Sequence, residues 1–331
     1  MNGRTASWWE TAGESVRCLL CPHGCVLPPG GTGRCGVRAH PAGRNELVSL
    51  NYGLVSSVAM DPVEKKPLYH WKPGSRILSL GTVGCSMDCP FCQNWEIARS
   101  APSVRLSPLE TEAIPRLAAE YGTRSVAFTY NEPLTWFEYM LEASKILRGK
   151  GMAAVLVSNG MITPSPLAEL APFISAANID LKAFTREAYE QLGGDLESVK
   201  ETIAFLIGKG VHVEVTFLLV PGINDQPAPF LHMVSWLSGL APQPPLHISR
   251  YFPRHRWTRP ATSLHLLREY ASTARTHLRH VYVGNAGEES RTSCDFCGKT
   301  LLLRREYRII EKNVDDSGRC ASCGRVSFIV P

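Results

Sequence analysis

The residues best equipped for chemistry are the cysteines. There are eleven, and they fall into three groups: Cys18, Cys21, Cys25 and Cys35; then Cys85, Cys89 and Cys92; then Cys294, Cys297, Cys320 and Cys323. Thiolates are soft ligands that select zinc or iron–sulfur clusters. A quartet saturates a tetrahedral ion or all four corners of an iron–sulfur cubane. A trio leaves one position open, as a catalytic centre requires. An odd cysteine count, and an N-terminal stretch without a basic region followed by an apolar run, argue against a disulfide framework and a secretory signal.

The trio is spaced Cys-x3-Cys-x2-Cys, within Gly84-Cys85-Ser86-Met87-Asp88-Cys89-Pro90-Phe91-Cys92-Gln93-Asn94. Something must hold that loop, and the surrounding pattern says what. From about residue 76, apolar runs alternate with helical patterns. Arg76–Gly81, Ser125–Thr129, Ala153–Val157, Ala176–Leu181, His212–Val220 and Leu246–Ser249 read as strands. Leu134–Arg148, Ser198–Ile207 and Thr262–Leu278 read as helices, as does a segment opened by the capping box Ser107-Pro108-Leu109-Glu110 and interrupted by Pro115. Six strand–helix units predict an α/β fold, a partial (β/α)6 barrel, with Val281–Val283 as a short seventh strand.

Cofactors in such folds lie at the carboxyl ends of the strands, where the trio sits. The other strand ends carry polar residues. Asn131 and Glu132 end the second strand; a carboxylate and an amide accept bonds from an ammonium, and an N-cap by Asn131 is the competing role. Ser158 and Asn159 end the third, before Gly160, where a ribose, a carboxylate or merely a tight turn fits. Asp180 and Lys182 end the fourth; strand alternation sets them on one face, as site residues or as a surface ion pair. His247 and Arg250 lie on the sixth, where one of them is expected near the ligands and His247 reads equally as a core histidine.

The trio, with Phe91 before its last cysteine, resembles the signature of the radical S-adenosylmethionine (SAM) superfamily. That resemblance implies a 4Fe-4S cluster on Cys85, Cys89 and Cys92, SAM chelating the open iron, and a 5′-deoxyadenosyl radical that abstracts hydrogen from a substrate. It also implies that Glu132 meets the SAM amino group and that Asp180-Leu181-Lys182 contacts SAM, as in pyruvate formate-lyase-activating enzymes. The wider set of Cys-x2-Cys-Pro-His-x-Cys, Gly33-Arg34-Cys35-Gly36-Val37-Arg38, Asp61-Pro62-x-Glu64-Lys65-Lys66-Pro67-Leu68-Tyr69-His70 and Thr82 to Trp95 is similar to the AmmeMemoRadiSam radical SAM proteins. By that resemblance AMMECR-type and Memo-type proteins are partners, and a flavodoxin or ferredoxin is the electron donor.

The C-terminal quartet, two Cys-x2-Cys knuckles each followed by glycine (Gly298 and Gly324), reads as a zinc ribbon, with an iron–sulfur cluster as the rival. The N-terminal quartet fits zinc or a second iron–sulfur cluster. Three regions are expected: residues 1–74, Cys-rich and metal-binding; 75–287, the radical SAM core; and 288–331, the ribbon. With 44% hydrophobic and 20% charged residues and 35 − 30 = +5 net charge, the chain has the composition of a globular protein and no dense basic stripe for nucleic acid. A cytoplasmic, membrane-free enzyme is expected. The alternatives are a metal-stapled adaptor for a partner protein and an RNA-modifying radical enzyme.

Overall fold

The computed structural model describes residues 3–100 and 103–331. Its centre is one sheet of eight strands: β1 (Ser57–Pro62), β2 (Arg76–Gly81), β3 (Ser125–Phe128), β4 (Ala153–Ser158), β5 (Ala176–Asp180), β6 (His212–Leu219), β7 (Leu246–Arg250) and β8 (Val281–Gly284). They lie side by side in chain order. Strands β2 to β8 are parallel, and β1 runs antiparallel along the β2 edge. The crossovers carry α1 (Ile114–Glu120), α2 (Phe137–Gly149), α3 (Pro164–Leu170), α4 (Leu196–Gly208), α5 (Pro227–Ser238) and α6 (Leu264–Arg275). Strict chain order with helical crossovers curls such a sheet. It stays open: β1 and β8 are its two edges and do not pair. Seven parallel strands are thus present, the short seventh among them. No helix among the described residues is long and apolar enough to cross a membrane.

Alternation sorts the strand residues between two faces. Val126, Phe128 and Leu156 pack in the main core with helix residues such as Phe137, Leu147 and Leu206. Ala127, Val155, Ala176 and Ile77 face the other way, onto Val63, Leu68 and Trp71. The capping-box expectation is corrected here. Ser107–Pro108 pairs with Leu54–Val55 as a short antiparallel strand, and the helix begins only at Ile114, with Pro115 in its first turn. A first-turn N–H has no helical partner to lose, so proline marks this helix's start rather than interrupting it.

The segment after β1 closes the lower end of the sheet. The Glu214 carboxylate on β6 accepts from the main-chain N–H groups of Tyr69 (3.0 Å) and His70 (2.7 Å), and it also bonds His247 at 2.6 Å. Asn178 donates to the Pro67 carbonyl at 2.8 Å. At the start of this floor, Asp61 accepts from Lys66 (2.6 Å), Lys65 (2.9 Å) and the Tyr130 hydroxyl (2.6 Å). Burial works against the Asp61 charge, but these donors outweigh it and hold the carboxyl well below its usual range. Lys66 is only 2% exposed, so Asp61→Asn would strand a buried ammonium. Removing one partner of a buried pair costs about 3–5 kcal/mol, and a urea titration of the variant should show that loss. A change under about 1 kcal/mol, the surface-pair scale, would mean that Lys66 finds water.

The first residues share the central sheet's core instead of forming their own: Ala6, Val16, Leu20 and Leu27 belong to the main cluster. Arg38, buried, pairs with Glu138 of α2 at 2.9 Å. The last residues form an antiparallel sheet of Glu289–Ser293, Thr300–Arg305 and Arg308–Lys312. It docks on the floor: buried Arg304 donates to the Tyr69 carbonyl and covers the Tyr69 ring at 4.4 Å, while the Val330 N–H donates to the His70 carbonyl at 2.8 Å.

Candidate functional site

The trio occupies the loop that leaves β2. Its entry depends on Gly84, at φ +96°, where a Cβ would lie 2.8 Å from the Cys35 carbonyl and from the Val37 methyls. Only glycine permits both that dihedral and that approach. The loop is tied down from several directions. The Asp88 N–H donates to the Leu192 carbonyl at 2.8 Å, the His23 ring bonds the Ser86 carbonyl at 2.8 Å, and Arg99 donates to the Met87 carbonyl. Burial pushes all three thiols up, Cys89 to about 11. Without a metal they stay protonated at neutral pH, and bound iron is the positive charge that would ionise them. Their sulfurs are not gathered within 4.8 Å of one another. That spacing is wider than one shared ion calls for.

The strand ends converge on this loop, with different tasks for each side chain. Asn131 accepts from the Thr82 N–H (3.0 Å) and donates to the Gly84 carbonyl (2.9 Å), so it anchors the cysteine loop. Glu132 is 2% exposed. Its carboxylate accepts from Ser158 Oγ (2.7 Å) and from the main-chain N–H groups of Asn159 (2.8 Å) and Leu134 (3.0 Å). Three donors use three of its roughly four lone-pair sites and leave one free. Burial nonetheless pushes its pKa up to about 7. Ser158 also accepts from the Gly160 N–H at 2.9 Å, which locks the turn after β4. Asn159 reaches the loop itself, donating to Ser86 Oγ at 3.1 Å with Cys85 Sγ at 3.9 Å.

Asp180 and Lys182 pair at 3.0 Å, both part-exposed. Ala176, Asn178 and Asp180 alternate on the concave face, since Ala176 packs on the floor cluster and Asn178 bonds the floor. Burial opposes the Lys182 charge, but Asp180 and the thiols of Cys89 and Cys92 override it and raise the pKa. Asn224, from the Pro221–Asp225 turn, explains that turn: its amide donates to the Lys182 and Leu218 carbonyls, each at 2.7 Å. It fixes the main chain from which Lys182 projects. His247 lies lower, on Glu214, as a core histidine, and Arg250 donates to the Thr262 carbonyl at 2.7 Å.

Sequence reading missed a latch over the loop. Arg256 bonds the Asp88 carboxylate at 2.5 Å and its N–H donates to the Pro90 carbonyl at 2.9 Å. Its neighbour His255 stacks on Trp95, centroids 4.9 Å apart. The partners are 168 residues apart in the chain, and no local pattern could pair them.

The C-terminal quartet is gathered tightly. The four sulfurs lie within 4.8 Å of one another, with Cys294–Cys323 at 3.8 Å and Cys297–Cys320 at 3.7 Å. A tetrahedral ion with metal–sulfur bonds of about 2.3 Å needs a sulfur–sulfur edge of about 3.8 Å. The quartet therefore has the spacing of a single metal ion. The N-terminal quartet surrounds a cavity that Ser86 also lines, directly behind the trio's loop.

Residues 79–234 match the Radical SAM superfamily. Over 337 residues the chain is 34% identical to an uncharacterized protein of Methanocaldococcus jannaschii, with 99% of each chain covered. It is 30% identical over 151 residues to a probable GTP 3′,8-cyclase of Thermococcus kodakarensis, covering 44% of this chain and 47% of that one. Among solved structures, a radical SAM methyltransferase from Sphaerobacter thermophilus superposes with a TM-score of 0.50 at 18% identity, over 64% of this chain and 66% of that chain. Its likeness is one of fold. With the trio at the mouth of an open parallel sheet and a superfamily match that begins in the strand before it, residues 79–234 carry a radical SAM domain, and the chain is an enzyme of that class.

Proposed function

We propose that Cys85, Cys89 and Cys92 hold the catalytic 4Fe-4S cluster, with SAM bound between Glu132 and Lys182. When bound, the reduced cluster supplies the electron that splits a SAM carbon–sulfur bond, giving a 5′-deoxyadenosyl radical that takes hydrogen from a protein or small-molecule substrate. The residues supply binding and orientation. Glu132 offers its fourth acceptor site to the SAM ammonium. Lys182, its charge held up by Asp180, pairs with the methionyl carboxylate. Asn159 bridges the SAM side of the site to the cysteine loop, while Asn131 and Ser158 position that loop and Glu132. The observation that carries this reading is the chain of contacts from Glu132 through Asn159 to Ser86 and Cys85. It joins three strand ends at an open-cornered trio, an arrangement that an adaptor or an inert scaffold does not need.

Zinc in the C-terminal quartet, a flavodoxin or ferredoxin as electron donor, a cytoplasmic site of action, and membership of an AmmeMemoRadiSam system with AMMECR-type and Memo-type partners complete the proposal. The test is anaerobic loading with iron and sulfide, reduction, addition of SAM, and mass spectrometry of 5′-deoxyadenosine. Formation of that product supports the reading. A fully loaded, reduced protein that neither binds SAM nor releases it would end the proposal.

A pH dependence follows from Glu132. Its folded pKa of about 7 lies above that of a free glutamate, so the folded protein holds a proton there that the unfolded chain has already lost. The stability contribution of this group is therefore greatest below the ordinary carboxylate range and is lost as pH rises through about 7. SAM binding runs the opposite way, because an ammonium needs the ionised carboxylate. Calorimetry should find SAM affinity rising up to about tenfold per pH unit below the pKa, then levelling above it, with proton release on binding at low pH. In Glu132→Gln that slope should vanish; an unchanged slope would assign the ammonium to another group.

A further inference from the structure

Cys18, Cys21, Cys25 and Cys35 are the metal-binding residues that the proposed chemistry does not use. They ring one cavity that Ser86 and Met161 also line. The chain offers an internal gauge for what such a ring holds. The C-terminal sulfurs lie within 4.8 Å of one another and are, among the described residues, the one group of potential ligands so gathered. The N-terminal sulfurs do not meet that spacing, and neither does the cysteine trio. By this gauge the N-terminal quartet lacks the spacing of a single-ion site and groups with the trio. Gly33 lies beside two of the quartet's sulfurs: a Cβ there would sit 3.8 Å from Cys25 Sγ and from Cys35 Sγ, an ordinary contact distance.

The quartet also lies against the trio. The Cys85 N–H donates to the Cys35 carbonyl at 3.3 Å, and a Cβ at Gly84 would come within 2.8 Å of the same carbonyl. His23, between Cys21 and Cys25, bonds the Ser86 carbonyl at 2.8 Å. On the far side Pro22 and Val26 are exposed, so the ring reaches from the surface to the catalytic loop.

We propose that Cys18, Cys21, Cys25 and Cys35 bind a second 4Fe-4S cluster, fully ligated by thiolate and serving as the electron entry to the first. One electron from a low-potential one-electron carrier, of flavodoxin or ferredoxin class, reduces this cluster by one unit. The cluster returns to its resting state when that electron leaves across the Cys35–Cys85 contact, and no bond forms or breaks. The entry role rests on the radical chemistry proposed above, whereas the cluster itself does not.

The test therefore removes the first cluster. The full-length triple variant Cys85→Ala, Cys89→Ala, Cys92→Ala, loaded anaerobically with iron and sulfide, should retain about four iron and four acid-labile sulfide per chain. Adding Cys21→Ala and Cys25→Ala should remove them. Retention of zinc in place of iron, or no metal at the quartet, overturns the proposal whatever the fate of the SAM reading. If the triple variant does not fold, the iron count of the loaded wild-type chain decides: about eight supports a second cluster and about four rejects it. In the reduced wild-type protein, electron paramagnetic resonance should show two spins per chain broadened by mutual coupling. Two uncoupled spins would overturn the entry role.

Discussion

Cys89→Ala should abolish 5′-deoxyadenosine formation, lowering it by more than about 10³-fold, the scale of losing the chemistry itself and not one contact to it. The reason lies in the ligand count. A cubane held at three corners by protein thiolates has one iron for SAM, and with two thiolates it has neither a stable seat nor a defined open corner. The mutation removes one sulfur from a loop whose path is set elsewhere, by Gly84, by the Asp88–Leu192 bond and by the Arg256–Asp88 latch. The variant should therefore keep its thermal midpoint while losing the iron that belongs to this loop. Lys182 provides a second readout, since Cys89 and Cys92 are among the groups that hold its pKa up. Retention of turnover within tenfold of wild type would mean that other residues hold the cluster.

Stripping the metal from the C-terminal quartet, by chelation or by Cys320→Ala, should unfold the ribbon and leave the eight-stranded sheet standing. The ribbon's own core is small: Leu301, Leu302, Val314 and Ile329 with two of the cysteines themselves, Cys294 and Cys320. A structural zinc site contributes on the order of 10 kcal/mol, more than four apolar side chains at about 2 kcal/mol each can supply. Amide hydrogen exchange should find protection within 288–331 falling by orders of magnitude, while β3 to β6 keep theirs. The floor should report the loss as well. Arg304 would leave the Tyr69 ring and carbonyl, and Phe328 would leave the rings of His70 and His280, which it meets at 4.6 and 3.8 Å. Full protection of the ribbon after metal removal would show that the docking surface, and not the metal, orders it.

Much of this protein is legible along the chain because its chemistry is local. Strand limits come within a residue or two of the sheet, since a buried parallel strand is a continuous apolar run and its neighbours are breakers. The helix before β3 was misread at its start because Pro115 can end a helix or begin one, and only the pairing of Ser107–Pro108 with Leu54–Val55 decides which. The Asp61 to His70 motif was legible as a resemblance and opaque as physics. Its Asp61 carboxylate and its Tyr69 and His70 amides find partners just after β3 and on β6, far away in sequence.

The site divides the same way. Glu132, Asn159, Asp180 and Lys182 could be nominated because strand ends in a parallel sheet face one mouth. That Asn131 spends its amide on Thr82 and Gly84, that Asn224 holds the Lys182 main chain, and that Arg256 closes on Asp88 depend on which loops the fold brings together.

By itself, the sequence determined how many thiolates each metal site has, and with that which site is left open, because ligand count is a property of short-range spacing. How tightly the C-terminal sulfurs are gathered, and that Cys35 and Cys85 stand in hydrogen-bond contact across fifty residues of chain, only the tertiary structure decided. Sulfur–sulfur distances and loop contacts are set by how the packed core folds the backbone, and spacing along a chain does not encode them.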